Sequence, residues 1–161
     1  MLIDKAGLQP LIPHTGAMCL LDEVTAWDSD AIQCMTNTHR DRTNPLRRQG
    51  HLSAVAAFEY GAQAAAVHGG LCARAAGATA APGYLAALRD ARWFVAELDE
   101  IAAPLQVSAR RLLGEAAQCI YAVQVSAAGR LLAEARVTIM PQPIQQRPST
   151  LSPPTSVGSS R

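Results

Sequence analysis

The 161-residue sequence lacks any long run of like charge, and its 14 lysines and arginines nearly balance its 13 aspartates and glutamates. Chains that bind nucleic acid or an anionic membrane surface usually carry a basic stretch or patch. We therefore predict neither nucleic acid nor a membrane as a partner.

The sequence also lacks the motifs of metal and cofactor sites. Its four cysteines are widely spaced, with no Cys-x-x-Cys pair, so no metal site is predicted. It has no dinucleotide-binding glycine pattern and no Gly-x-Ser-x-Gly motif, and no cofactor is predicted. No signal peptide is recognised at the start of the chain, so we expect reduced cysteines and a cytoplasmic location.

Charge is nearly absent from residues 53–76, a segment made mostly of alanine and glycine. The segment is apolar around almost its whole circumference, which predicts a buried helix. It is nearly long enough to cross a membrane. However, it carries Glu59, Gln63 and His68, and alanine and glycine are only weakly hydrophobic, so we do not expect it to span one.

Glu59 is the acidic side chain within this apolar helix. A buried carboxylate is unfavourable unless it is paired or protonated. Burial raises the pKa of a carboxyl group, which suits a general acid working near neutral pH. The alternative is a structural glutamate that is hydrogen-bonded to a neighbour near the helix end.

The rest of the chain has the character of an antiparallel sheet followed by a tail. Strand-like runs occupy residues 18–27, 31–38, 84–95, 105–113, 117–126 and 131–140, and short connections favour an antiparallel meander. We predict an α+β domain over residues 1–140, in which about six strands curl around the helix. An exposed sheet edge would favour pairing of two copies, hence a dimer. Residues 141–161 hold five of the ten prolines and are predicted to form a flexible tail.

Three motifs resemble those of the 3-hydroxyacyl-acyl-carrier-protein dehydratases. The run from Leu11 through His14 to Val24 is similar to the family's Pro-His opening. Gly50-His51-Leu52 resembles the start of its Gly-His-Phe-Pro loop, and the run from Glu59 to Gln63 resembles its helix motif. The likeness covers about residues 8–140. It is closest to the dehydratase-like branch of aryl polyene gene clusters, in which the loop before the helix is shortened. The resemblance implies the hotdog fold.

The resemblance also implies a reaction, the dehydration of a 3-hydroxyacyl thioester to a trans-2-enoyl thioester. Glu59 is then the acid or water-positioning residue, and His51 matches the family's catalytic histidine. Ser53 stands where the family has proline, and the interval from His51 to Glu59 is shorter than usual. His14 is therefore kept as a second candidate base, or as a structural residue. Gln63 is included among the expected substrate-binding residues, and it either orients Glu59 or satisfies a buried backbone group.

Substrate contacts are expected at the helix start. Ser53 is the predicted N-cap, and free N–H groups of about residues 54–57, including Ala54 and Val55, would bind the thioester carbonyl. Four arginines precede the helix and either bind the phosphate of a carrier-protein or coenzyme A arm or are solvated: Arg40, Arg42, Arg47 and Arg48. His68 is expected to be packed and His39 to be solvated.

Two alternatives to dehydration remain open at this stage. One is a non-catalytic hotdog subunit that supports an active dehydratase partner in a heterodimer, or that binds acyl chains without turnover. The other is an acyl thioesterase in which a carboxylate activates water. Fold alone does not separate these functions.

Overall fold

The computed structural model describes residues 2–12, 14–79, 83–114 and 118–141. The predicted tail, apart from Pro141, lies outside the described residues. The helices and strands within them, in chain order, are β1 (Ile3–Asp4), α1 (Lys5–Leu8), β2 (Glu23–Trp27), β3 (Ala31–Thr36), α2 (Ala57–Ala75), β4 (Gly83–Trp93), β5 (Leu105–Gly114), β6 (Cys119–Ala127) and β7 (Arg130–Pro141). Short 3₁₀ turns occupy Gln9–Leu11, Gly16–Met18, Thr38–Arg40 and Ala54–Ala56.

All seven strands of the described chain lie in one antiparallel sheet, in the order β1-β2-β3-β5-β6-β7-β4. The sheet has one strand more than predicted, because the short β1 pairs with β2. The first predicted strand begins at Glu23 rather than near Met18. Residues Cys19, Leu20 and Leu21 are fully buried without belonging to a strand, so their apolar character reflects burial in the core rather than sheet pairing.

The meander prediction holds for β5, β6 and β7 but not for β4, which pairs with β7 at the far edge. The connection after β4 explains the order. Ala54 donates its N–H to Ala96 O, and Leu98 donates its N–H to Leu52 O. The chain therefore crosses the start of α2 before β5 pairs with β3 on the other side.

Helix α2 packs on strands β3, β5, β6 and β7, as a helix wrapped by a curled sheet must. Its buried residues include Tyr60, Ala64 and Val67, which are fully buried. Gly61 brings the helix very close to β6, since a Cβ at this position would lie 2.8 Å from the Cβ of Val123. A residue without a side chain at position 61 is thus a requirement of the close helix–sheet packing there.

Strand β4 is a sheet edge with large apolar side chains in solvent. Tyr84, Leu85, Leu88 and Trp93 are all more than 40% exposed. An exposed, apolar edge strand is a template for pairing with another chain. Among the described residues, no helix has both the length and the apolarity needed to cross a membrane.

Candidate active site

The loop before α2 is held by Arg47. Its guanidinium donates to the carbonyl oxygens of Asp41 (2.8 Å), Gly50 (2.6 Å) and His39 (3.2 Å), and it pairs with Asp99 at 3.0 Å. Asp99 in turn accepts the N–H of Leu52 at 2.8 Å. Burial favours the neutral form of the Asp99 carboxyl, but the Leu52 N–H and the Arg47 guanidinium outweigh it, so its pKa is lowered. This network fixes the backbone that leads into the helix.

Ser53 caps the helical segment, as predicted, by accepting the N–H of Val55 on its hydroxyl at 3.3 Å. The other N–H groups expected to be free are engaged. Ala54 donates to Ala96 O and Ala56 to Ser53 O, both at 2.9 Å, and Ala57 donates within the turn. Only the Val55 N–H rests on a long bond to a movable hydroxyl, so it is the donor that a ligand oxygen can take over most easily.

A cavity of about 390 Å³ opens at this end of the helix. Its lining residues are His14, Met18, Leu46, Ser53, Val55, Ala56 and Glu59. The Glu59 side chain is 29% exposed, so the expectation of a fully buried carboxylate is corrected: α2 is otherwise largely buried, but Glu59 borders the cavity. His14 Nε2 lies 3.3 Å from Glu59 Oε1. A carboxylate and an imidazole thus meet on an otherwise mainly apolar wall.

Gln63 lies one helical turn after Glu59 and is 1% exposed. Its side-chain oxygen accepts the N–H of Leu20 at 3.0 Å. Its nitrogen donates to Met18 O at 2.8 Å and to Glu59 Oε1 at 3.1 Å. Both roles considered from the sequence therefore occur together, since Gln63 satisfies buried backbone groups and also contacts Glu59.

The structure does not bring His51 to Glu59. His51 Nδ1 lies 2.8 Å from Glu97 Oε2, its side chain is 63% exposed, and it is not among the cavity residues. Of the predicted substrate-binding residues, Ser53 and Val55 line the cavity, whereas Ala54 and Gln63 are buried and are not among the cavity residues. His51 thus faces the segment that follows β4.

Among the described residues, one group of three potential metal ligands has its atoms within 4.8 Å of one another: His51, Glu97 and Asp99. The Arg47 guanidinium lies 3.0 Å from Asp99 Oδ2. A cation at this group would lie close to the positive charge of Arg47, which already pairs with Asp99. The arrangement fits an ion-pair network better than a metal site.

The two remaining histidines are buried. His68 is packed, as predicted: Nε2 donates to Asp28 O and Nδ1 accepts from the Tyr121 hydroxyl, each at 2.9 Å. The prediction that His39 is solvated is wrong, because the loop folds inward and His39 is 0% exposed, with Nε2 donating to Ile101 O at 3.0 Å. Burial lowers the pKa of both imidazoles.

Three of the four arginines before the helix are hydrogen-bonded to backbone carbonyl oxygens. Arg40 donates to Ala102 O, Arg48 donates to Pro45 O, and Arg47 holds the network described above. Arg42 and Arg48 are exposed.

Sequence reasoning missed two cavity residues, Met18 and Leu46. Leu46 had one available signal, an isolated large apolar residue in a polar loop, whereas nothing distinguished Met18 from its buried neighbours.

The helix wrapped by one curled antiparallel sheet defines this chain as a hotdog-fold protein. The chain belongs to the ApeP-like family, described as ApeP dehydratase, whose model matches residues 6–149. The resemblance seen in the sequence is therefore confirmed, and the family and fold together support a dehydratase-type or thioesterase-type hotdog function.

Three solved structures illustrate the likeness of fold. The dehydratase heterocomplex ApeI:P from Xenorhabdus doucetiae is 24% identical, with a TM-score of 0.77 over 85% of this chain and 91% of that one. A mutant thioesterase from Pseudomonas aeruginosa is 14% identical, with a TM-score of 0.61 over 88% and 97%. A hypothetical thioesterase with coenzyme A from Streptococcus pneumoniae TIGR4 is 14% identical, with a TM-score of 0.55 over 74% and 84%. A search of curated proteins found no match.

Proposed function

We propose that this chain takes part in the dehydration of a 3-hydroxyacyl thioester to the trans-2-enoyl thioester, in fatty-acid or polyene biosynthesis. One observation carries the proposal: the Glu59 carboxylate and the His14 imidazole lie 3.3 Å apart on the wall of a cavity at the start of a helix. Membership of a dehydratase family supports the same reaction.

The cavity offers a place for each part of such a substrate. The thioester carbonyl would accept the Val55 N–H, with the Ser53 hydroxyl released to bind beside it. The positive end of the α2 dipole favours the negative charge that develops on that oxygen. The acyl chain would lie against Met18, Leu46 and Ala56, which form the apolar side of the cavity.

Glu59 is the residue that we propose for proton transfer. Elimination needs a base for the α-proton, which the bound carbonyl acidifies, and an acid for the departing β-hydroxyl. Glu59 lines the cavity, and its Oε2 has no hydrogen bond to any described residue. Of the two histidines considered as its partner, His14 lies beside it and His51 pairs with Glu97.

The substrate's carrier is proposed to be an acyl carrier protein or coenzyme A. Both present the thioester on a phosphorylated pantetheine arm, and phosphates bind well to arginine. Arg42 and Arg48 are exposed on the loop that also supplies Leu46 to the cavity. They are the residues that we propose for the phosphate.

The partner subunit is proposed to pair at the edge strand β4, as a second copy or as a related hotdog chain. The exposed apolar side chains of β4 support this placement. The similar structure from Xenorhabdus doucetiae is a heterocomplex, which favours a related chain over a second copy.

A second candidate function is a supporting, non-catalytic subunit in such a heterodimer. The position of His51 favours it, because the residue that matches the family's catalytic histidine is turned to Glu97. In that case the catalytic groups would belong to the other hotdog chain.

The test is a dehydration assay with the purified chain, alone and with a hotdog partner subunit, on a 3-hydroxyacyl thioester. Enoyl product is read by its ultraviolet absorbance and by mass. If the proposal is right, Glu59→Gln lowers turnover by about 100-fold or more, while the exposed His51→Gln retains most of it. Thiol release without enoyl product would indicate a thioesterase. Activity that needs the partner and is indifferent to Glu59→Gln would indicate the supporting role.

A further inference from the structure

We propose that His14 is not the base of this reaction but a neutral imidazole with its proton on Nε2. Together with Gln63, it holds Oε1 of Glu59, so that Oε2 alone exchanges protons with the substrate. This inference rests on the proposed dehydration at the cavity.

The orientation of the Gln63 amide is fixed by the backbone. Its oxygen faces the N–H of Leu20 at 3.0 Å, and its nitrogen faces the carbonyl of Met18 at 2.8 Å. If the amide were flipped, its NH₂ group would face the N–H of Leu20 and its oxygen would face the carbonyl oxygen of Met18, in a buried site. The second N–H of the same nitrogen therefore points at Glu59 Oε1, 3.1 Å away.

The surroundings of the two ring nitrogens of His14 indicate which of them carries the proton. Nδ1 is buried without a hydrogen-bond partner among the described residues, and Nε2 lies 3.3 Å from Glu59 Oε1. A proton on Nδ1 would be a buried donor without an acceptor, which native structures rarely contain. A lone pair on Nε2 would also face the carboxylate. The tautomer that avoids both is neutral and carries its proton on Nε2.

The Gln63 N–H is hydrogen-bonded to Oε1, the His14 Nε2 lies 3.3 Å from the same oxygen, and Oε2 is left for the substrate. His14 has no lone pair that can reach the cavity, because its unprotonated nitrogen is the buried one. His14 is therefore a positioning residue that acts through Glu59.

A single carboxylate then carries both proton transfers. Glu59 Oε2 takes the α-proton as the Cα–H bond breaks, and that electron pair forms the carbon–carbon double bond. The Cβ–O bond breaks, and the same proton passes from Oε2 to the departing hydroxyl, which leaves as water. Atoms and charge balance without another reactant. The α-hydrogen and the β-hydroxyl must lie on the same side of the substrate, so the elimination is syn.

The tautomer is tested directly by long-range proton–nitrogen NMR of uniformly ¹⁵N-labelled protein at pH 7.5. The signals of His14 are assigned by their loss in His14→Gln. We expect a protonated Nε2 and an unprotonated Nδ1. A protonated Nδ1, or both nitrogens protonated, would overturn the inference. This readout does not need turnover, so it stands or falls separately from the dehydration itself.

The positioning role is tested by kinetics in the active assembly. His14→Gln keeps an N–H donor near the position of Nε2 and should lose only a few-fold in kcat. His14→Leu has similar size without a donor and should lose about 10-fold to 100-fold in kcat with little change in KM. Both variants are checked for folding by thermal unfolding. Equal, large losses in both would identify the imidazole as the base and refute the positioning role.

Discussion

Two regions along helix α2 each place a side chain of the helix against a polar partner. Near its start, Glu59 meets His14 at a cavity, and both side chains are about 30% exposed. Further along, His68 is 0% exposed, and both its nitrogens are bonded, to Tyr121 and to Asp28. Neither ring nitrogen of His68 is available to hydrogen-bond a ligand, whereas Oε2 of Glu59 has no hydrogen bond to any described residue. Glu59 and His68 therefore differ in role because Glu59 has unfilled hydrogen-bonding capacity beside an opening. The residue type does not decide which group is a candidate for chemistry.

The largest effect on stability should come from the buried region. His68→Ala removes a fully buried ring and leaves the Tyr121 hydroxyl without a protein partner, so we expect a loss of about 3 kcal/mol in the free energy of unfolding. Glu59→Gln should change the same quantity by less than about 0.5 kcal/mol. Urea unfolding monitored by circular dichroism measures both. Comparable losses in the two variants would make Glu59 a structural residue and remove the distinction.

The close approach of α2 to β6 lies between the two regions and can be tested with a matched pair of glycines. A Cβ at Gly61 would lie 2.8 Å from Val123, so Gly61→Ala should lower the free energy of unfolding by about 2 kcal/mol. A Cβ at Gly69 would meet nothing within 4 Å, so Gly69→Ala should raise it by about 0.8 kcal/mol through helix propensity. Thermal and urea unfolding report both changes, and the same sign for both would show that packing at Gly61 is loose.

Tyr121→Phe tests the contribution of a single hydroxyl group in the buried region. Burial raises the pKa of Tyr121, so its hydroxyl stays protonated and donates to His68 Nδ1. Removing it leaves a buried acceptor unpaired, and we expect a loss of about 1 kcal/mol in unfolding free energy. Turnover per folded molecule should not change. A fall in kcat without a fall in stability would link this region to the chemistry.

The buried histidines should also give the stability a pH dependence. Burial lowers the pKa of His39 and His68 below the value of about 6.5 found in unfolded chains. The unfolded state therefore binds more protons just below pH 6.5. The stability is fully present above that pH and declines as the pH falls, by no more than about 1.4 kcal/mol per pH unit for each imidazole.

Urea unfolding at a series of pH values between 7.5 and 5 measures this decline. His68→Gln should reduce the slope, because it removes one of the two buried imidazoles. Stability that is flat across this interval would show that neither buried histidine resists protonation.

The sequence predicted the features that depend on neighbouring residues. Alanine-rich composition predicted α2, alternation predicted six strands, and a serine before the helix predicted the cap at Ser53. The sequence-based prediction failed where the local pattern does not determine whether a residue is buried. His39 lies in a polar loop but is buried, because Arg47 pulls that loop onto the segment around Asp99.

The polar residues of the candidate site were predicted, but its geometry was not. Glu59, His14, Gln63 and Ser53 were all singled out, but their mutual contacts were not. Gln63 meets Met18 across 45 positions of sequence, and His51 meets Glu97 across 46. Contacts between residues so far apart in the sequence produce no periodic pattern from which they could be predicted.

The sequence by itself therefore determined the fold class, the helix that carries Glu59 and the family, because each follows from local propensity, hydrophobic period or a short motif. The tertiary structure alone decided which histidine stands beside the carboxylate, which oxygen is left open and which backbone N–H is available. These are long-range contacts, fixed by how the sheet curls around the helix and where the connection after β4 crosses it, and packing of that kind is a property of the whole chain.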